Sequence, residues 1–175
     1  MNSFETMKTM KYIQDQIDLR EKSKVKWDLR FLNLAITVSL WSKDPSTKVG
    51  AVIVRPDNTV ASLGYNGFPR KMSDNNEQLN NREEKYSRII HGEINALLSS
   101  RENVTGFSLY TIPFMPCDRC CVIMAQAGIV RFIAPTPTQE QLSRWGTSFD
   151  KTRNYAAQMG LELVEYDLKE INDIA

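Results

Sequence analysis

Two short stretches set the limits on what this chain can become: His91-Gly92-Glu93 and Pro116-Cys117-Asp118-Arg119-Cys120. The first runs into Ile94-Asn95-Ala96-Leu97-Leu98, whose apolar stripe predicts a helix. The second runs into Cys121-Val122-Ile123-Met124-Ala125-Gln126-Ala127, a helical run stopped by Gly128. Between them, residues 107–112 alternate and are rich in strand-forming types. His91, Cys117 and Cys120 therefore each sit at or beside a helix start, with one strand separating the two helices. Parallel packing of those helices brings their N-termini together, so that one imidazole and two thiolates converge on a single cation.

That donor set, two soft sulfurs and one borderline nitrogen, suits Zn²⁺ in tetrahedral geometry. Cys121 is adjacent to Cys120 and leaves the helix in another direction, and there is no second histidine in the chain. Three protein ligands leave a fourth position open, and an open position is what a catalytic zinc keeps for water. Zinc lowers the pKa of such a water from about 15.7 toward roughly 7, and two helix N-termini add positive potential. Glu93, two residues from His91, points elsewhere and is placed to take a proton from water and pass it to a leaving group. Two competing readings are a capping His with two core cysteines, and a structural zinc closed by an acidic fourth ligand.

The H-x-E…P-C-x-x-C spacing resembles the zinc-dependent nucleobase deaminases, specifically the cytidine/deoxycytidylate deaminase superfamily. Two further stretches are similar to its deoxycytidylate branch: Asp44-Pro45-Ser46-Thr47-Lys48-Val49-Gly50-Ala51-Val52-Ile53-Val54 and Gly64-Tyr65-Asn66-Gly67-Phe68-Pro69-Arg70. The resemblance covers about residues 27–166. It implies a three-layer α-β-α sandwich with a mixed five-stranded sheet, and deamination of dCMP to dUMP and ammonia in supply of thymidylate. It implies attack of the activated water on C4, with Glu93 protonating N3 and the departing amine. Asn66 is the residue it suggests for a hydrogen bond to sugar or base, although Asn before Gly67 also suits a left-handed turn. The backbone of Val49 to Ala51 is placed to meet the base edge. The 5′-phosphate needs a cation, which the sequence leaves open among Lys48, Arg70, Arg88 and Arg119.

Relatives of this branch are often hexamers, activated by dCTP and inhibited by dTTP, with Mg²⁺ accompanying the triphosphate. The resemblance therefore points to a homo-oligomer, with an effector site sought at Gly64, Tyr65, Gly67, Phe68 and Arg70. Some relatives hold a second metal through further His and Cys; here no Cys precedes Cys117 and no His precedes His91, so that site is expected to be absent. Relatives usually carry Ala where this chain has Gly92. A glycine early in a helix costs about 0.5–1 kcal/mol relative to Ala, so a missing methyl near the metal suggests room for a 5-substituted deoxycytidylate or another base, unless the change is neutral.

The remaining sequence sets bounds. The 175 residues fit one domain, 1–175, with 1–23 as an amphipathic helix or arm carrying Met7, Met10, Ile13 and Ile17 at helical spacing. The 22 basic and 21 acidic residues nearly cancel, which argues against a polyanion-coating surface and so against a tRNA or single-stranded DNA deaminase. An intact Glu93 argues against a non-catalytic scaffold. Three cysteines, two of them assigned to metal, suit a reducing compartment. No apolar run reaches the roughly 20 residues of a membrane span, and no signal-peptide core is present, so a cytoplasmic protein is expected, or one in the host cytoplasm if viral.

In coarse structure, residues 27–41 read as a helix and 49–55 with 59–64 as a hairpin turning at Pro56-Asp57-Asn58. Residues 71–88 read as a long polar loop with a helical turn, with Tyr86, Ser87 and Arg88 near the nucleotide. Residues 129–134 and 161–166 read as strands, with a loop running past Trp145-Gly146, a helix over 150–158, and a short helix in the tail.

Overall fold

The computed structural model describes residues 3–167, 169 and 171. Helix α1 (Ser3–Ser39) precedes a hairpin of β1 (Gly50–Val54) and β2 (Val60–Tyr65). Two short helices follow, α2 (Asn76–Asn80) and α3 (Arg82–Arg88), then α4 (Gly92–Ser99), β3 (Ser108–Ile112), α5 (Asp118–Gln126), β4 (Arg131–Pro135), α6 (Gln139–Met159) and β5 (Glu162–Tyr166). The sheet order is β2-β1-β3-β4-β5. β1 is antiparallel to both β2 and β3, while β3, β4 and β5 run parallel. This is the mixed five-stranded sheet expected from the sequence.

The strand period of two divides the core between the sheet faces. Val52, Val54, Tyr110, Ile112 and Ile133 pack against Leu29, Phe31, Leu32 and Ala35 of α1. Their neighbours Ala51, Ile53, Leu109 and Phe132 pack on the other face, against Ala96 of α4 and Cys121 and Met124 of α5. Gly50 lets α1 lie directly on β1, since a Cβ there would fall 2.0 Å from the Ala35 carbonyl oxygen. One buried ionic knot ties α1 to the sheet: Asp28 accepts from Tyr110 Oη at 2.7 Å, from Tyr166 Oη at 2.8 Å, and from the Arg131 guanidinium at 2.7 Å.

Three local expectations change. The helix and arm expected at 1–23 and 27–41 are one continuous α1, because residues 20–30 contain neither Gly nor Pro to interrupt it. Residues 10–26 of that helix are exposed, Met10, Ile13 and Ile17 at 65%, 52% and 46%. The loop expected through Trp145-Gly146 is the first half of α6. Thr138 and Gln141 form a capping box at its start, and one interior glycine does not outweigh two extra turns of packing. The polar stretch 71–88 holds two short helices, capped by the Asn75 and Asn81 side chains. The expected tail helix falls mostly outside the described residues.

Candidate active site

His91 is the N-cap residue of α4 and Cys117 that of α5. The two helices pack side by side on one sheet face, so their starts meet. His91 Nδ1 lies 3.5 Å from Cys117 Sγ and 3.3 Å from Cys120 Sγ, and the three ligand atoms all lie within 4.8 Å of one another. A tetrahedral zinc with bonds of about 2.0–2.3 Å has ligand atoms separated by about 3.5 Å, so the three residues fit that ion. Among the described residues no further His, Cys or carboxylate joins the group. Cys121 is buried and its sulfur faces the Thr152 carbonyl at 3.9 Å.

The electrostatics match the donor set. Hydrogen bonding from Cys120 and His91 pulls the Cys117 thiol well below its ordinary value, in the direction that favours a metal-binding thiolate. The bond to that sulfur pushes His91 up to about 9, and Cys120 is pushed upward by its own hydrogen bond with Cys117 and by burial. Glu93 is 4% exposed and its Oε2 has no hydrogen-bond partner. Burial pushes its carboxyl above the usual carboxylate range, while the charge of His91 pulls it part of the way back. A buried, unpartnered carboxylate oxygen costs stability and belongs where a ligand supplies the missing partner.

The supports of these residues are specific. Gly67 and Ile90 exchange backbone hydrogen bonds, Gly67 N to Ile90 O at 3.1 Å and Ile90 N to Gly67 O at 2.8 Å, which tethers the residue before His91. Gly64 brings β2 against α4, and Asn95 Nδ2 donates to the Tyr65 carbonyl at 2.8 Å. On the cysteine side, α6 holds the loop. Ser148 Oγ accepts from Asp118 N at 3.1 Å and donates to its Oδ1 at 2.7 Å, and Thr152 Oγ1 donates to the Pro116 carbonyl at 2.9 Å.

A cavity opens over His91, Glu93 and Cys117. One wall is polar: Asp44, Ser46, Thr47, Asn66 and Lys85. The other is aromatic: Phe114, Trp145 and Phe149, with Trp145 and Phe149 each packed on Phe114 at 4.8 and 5.4 Å between ring centres. Val49 and Asn66 line this cavity, as does Tyr86. The Asn66 side chain is engaged with its own wall, accepting from Val49 N at 2.8 Å and donating to Thr47 O at 2.9 Å; Asn66 is not in the left-handed region. Ala51 is fully buried in the core beneath α4 and does not line the cavity. Lys48 lines an adjoining groove with Arg144 and Trp145. Arg88 pairs with Glu84, and Arg119 is exposed. Gly64, Tyr65, Gly67, Phe68 and Arg70 line a separate groove with Ile90, Asn95 and Leu98.

Sequence reasoning missed Lys85, Phe114, Trp145 and Phe149. Trp145 and Phe149 stand four apart on α6, so the capping box Thr138-x-x-Gln141 was the signal that would have placed them on one helical face. Lys85 left no such signal among the charged neighbours of α3.

Comparison with known proteins agrees with this geometry. The family description "Cytidine and deoxycytidylate deaminase zinc-binding region" matches residues 25–136. An uncharacterized deaminase from Aliivibrio fischeri is 38% identical over 138 residues, 79% of this chain and 92% of that protein. The deoxycytidylate deaminase of Mycobacterium phage D29 is 33% identical over 65% of this chain and 97% of its own. That of Mus musculus is 36% identical over 62% of this chain, which spans 64% of the mouse protein's length. In structure, the dCMP deaminase of cyanophage S-TIM5, solved with dCMP and dUMP, superposes with a TM-score of 0.61 at 24% identity, covering 78% of this chain and 94% of that one, which shows a shared fold. No helix among the described residues is long and apolar enough to cross a membrane. With a converging His/Cys/Cys cluster, a buried glutamate beside it and these relatives, the chain belongs to the cytidine and deoxycytidylate deaminase family.

Proposed function

We propose that this protein hydrolyses dCMP to dUMP and ammonia as the free nucleotide, supplying the precursor of thymidylate. The observation that carries the reading is Glu93: buried, with one carboxylate oxygen unpartnered, at the floor of a cavity shared with His91 and Cys117. The relatives named deoxycytidylate deaminase support the choice of substrate.

His91, Cys117 and Cys120 would hold zinc, which when bound supplies Lewis-acid activation of a water molecule. Glu93 takes a proton from the attacking water as its oxygen bonds to C4, and the electrons of the C4–N3 double bond move to N3, which receives that proton. Glu93 then carries the remaining hydroxyl proton to the exocyclic nitrogen. The C4–N bond breaks, ammonia leaves and the C4 carbonyl forms. Burial raises the Glu93 carboxyl above the usual carboxylate range, which strengthens it as the acceptor of the proton it later delivers. The aromatic wall gives the ring an apolar side to pack against, and the tilted Phe114–Trp145 contact holds that wall in place.

The groove beside Gly64–Arg70 supports, as a proposal, a separate site for dCTP or dTTP with Mg²⁺, and the exposed apolar side chains of α1 support assembly into a homo-oligomer, a hexamer by likeness to the family. A cytoplasmic location suits the thiol chemistry of the cluster. Chromatography of products from a panel of free cytosine and adenine nucleosides and nucleotides tests the function. The expected result is conversion of dCMP to dUMP, abolished by Glu93→Ala; no turnover of any cytosine nucleotide would end the proposal.

A further inference from the structure

The cavity over Glu93 contains one lysine and no arginine among its described lining residues. That lysine is Lys85, whose side chain is 8% exposed. Lysine is seldom buried so far without a partner or a task. Its Nζ donates to Asp44 Oδ1 at 3.0 Å and to Ser46 Oγ at 2.9 Å, which leaves one of its three protons uncommitted by these bonds. Asp44 does not depend on it. The same Oδ1 accepts from Ser46 N at 2.8 Å and Thr47 N at 3.2 Å, and Oδ2 accepts from Asn66 Nδ2 at 3.3 Å. Because Ser46 Oγ accepts from Lys85, its own hydroxyl proton is free to be donated, and the Thr47 hydroxyl lies on the same wall. A fixed ammonium flanked by two hydroxyls is the chemistry that receives a phosphate monoester.

Resting on the nucleotide-deaminase reading above, we propose that Lys85, with Ser46 and Thr47, binds the 5′-phosphate and so makes this cavity select a nucleotide over a nucleoside. Lys48, Arg70, Arg88 and Arg119 do not line the cavity. Lys85 comes from α3, so the segment between β2 and α4 supplies the specificity of a centre built by α4 and α5. Asp44 sets the lysine's position without using all of its donors.

The test uses the zinc-loaded full-length protein. Calorimetry measures dUMP and deoxyuridine binding, and initial rates give the ratio of kcat/KM for dCMP over deoxycytidine. Loss of one charge-assisted contact predicts that Lys85→Met weakens dUMP about thirtyfold and lowers the kcat/KM ratio comparably, with deoxyuridine affinity and zinc content unchanged. Lys85→Arg retains part of the selectivity. Ser46→Ala, at an exposed position that does not threaten folding, weakens dUMP severalfold and spares deoxyuridine. Parallel loss for both ligands, no loss for either, or the selective loss arising from Lys48→Ala or Arg144→Ala would overturn the assignment. Should Lys85→Met fail to fold, Lys85→Arg and Ser46→Ala decide it. A wild-type protein that neither binds dUMP nor turns over dCMP overturns the substrate reading itself; one that does both, with unaltered selectivity in the variants, overturns only the role of Lys85.

Discussion

Gly64 lies so close to Ala96 that a Cβ on the glycine would sit 2.2 Å from the Ala96 backbone nitrogen, and 2.3 Å from the Gly92 carbonyl oxygen. Strand β2 and the first turn of α4 are therefore in backbone contact, and His91 and Glu93 inherit their position from that contact. A methyl cannot be accommodated by rotating a side chain, because both obstructing atoms are main chain. Gly64→Ala should destabilise the fold by more than about 3 kcal/mol, read as a drop in melting temperature. At Gly67, which has open space around it and no positive φ, the same substitution should change stability by less than about 1 kcal/mol.

Gly92 is a milder case. A Cβ there would meet Val49 Cγ1 at 3.2 Å, the Val49 carbonyl oxygen at 3.3 Å and Asn66 N at 3.4 Å. The missing methyl therefore relieves the Asn66–Val49 backbone hydrogen bond and the Val49 side chain, which lines the cavity. Gly92→Ala should push Val49 by a few tenths of an ångström and narrow the cavity beside it. The measurement is turnover of dCMP against 5-methyl-dCMP, with a severalfold loss expected for the 5-substituted substrate. An unchanged ratio would mean that Gly92 has no part in specificity.

Metal content and activity together should test whether His91, Cys117 and Cys120 hold zinc and Glu93 moves the proton. The protein is expected to bind about one zinc per chain. Cys117→Ser and Cys120→Ser should lose most of it, because a hydroxyl is a poor substitute for thiolate. Glu93→Ala should keep full zinc content and lose activity by about 10²-fold or more. Elemental analysis of the three purified variants, with rates measured before and after dialysis against chelator, checks both. Zinc lost from Glu93→Ala would make that carboxylate a ligand instead.

Acid stability should report on Glu162. Lys24 Nζ lies 2.7 Å from one of its oxygens and Arg131 Nε 3.0 Å from the other. Partial burial raises the carboxyl, but the two cations outweigh it and the net shift is downward. With the folded pKa below the unfolded one, the stabilisation is fully present above the ordinary Glu value near pH 4.5 and disappears as pH falls through the folded value. The side chain is 46% exposed, so solvent screening limits the effect to about 0.5 kcal/mol. Urea denaturation of Glu162→Gln and wild type should differ at pH 7 and converge toward pH 3. A constant gap would assign the difference to packing.

The His91/Cys117/Cys120 cluster, the placement of Glu93 beside it and the strand–helix order were legible because each rests on short-range information. His91 and Glu93 are two apart, Cys117 and Cys120 three apart, and each group opens its own helix. The hairpin turn and the alternation of β1 and β3 are equally local. The N-terminal half of α6 was misjudged because Pro135, Pro137 and Gly146 are strong local breakers, whereas the capping box and the burial of Phe149 against Met115 and Ala134 outweigh them.

What the chain alone determined is thus the chemistry: which side chains can hold a soft metal and which can move a proton. The tertiary structure alone decided what surrounds that chemistry. Lys85 meets Asp44 across 41 positions, Thr152 meets Pro116 across 36, and Trp145 packs at a tilt on Phe114. Such pairings arise when separate elements are pressed together by burial of apolar surface, and that force carries no sequence spacing.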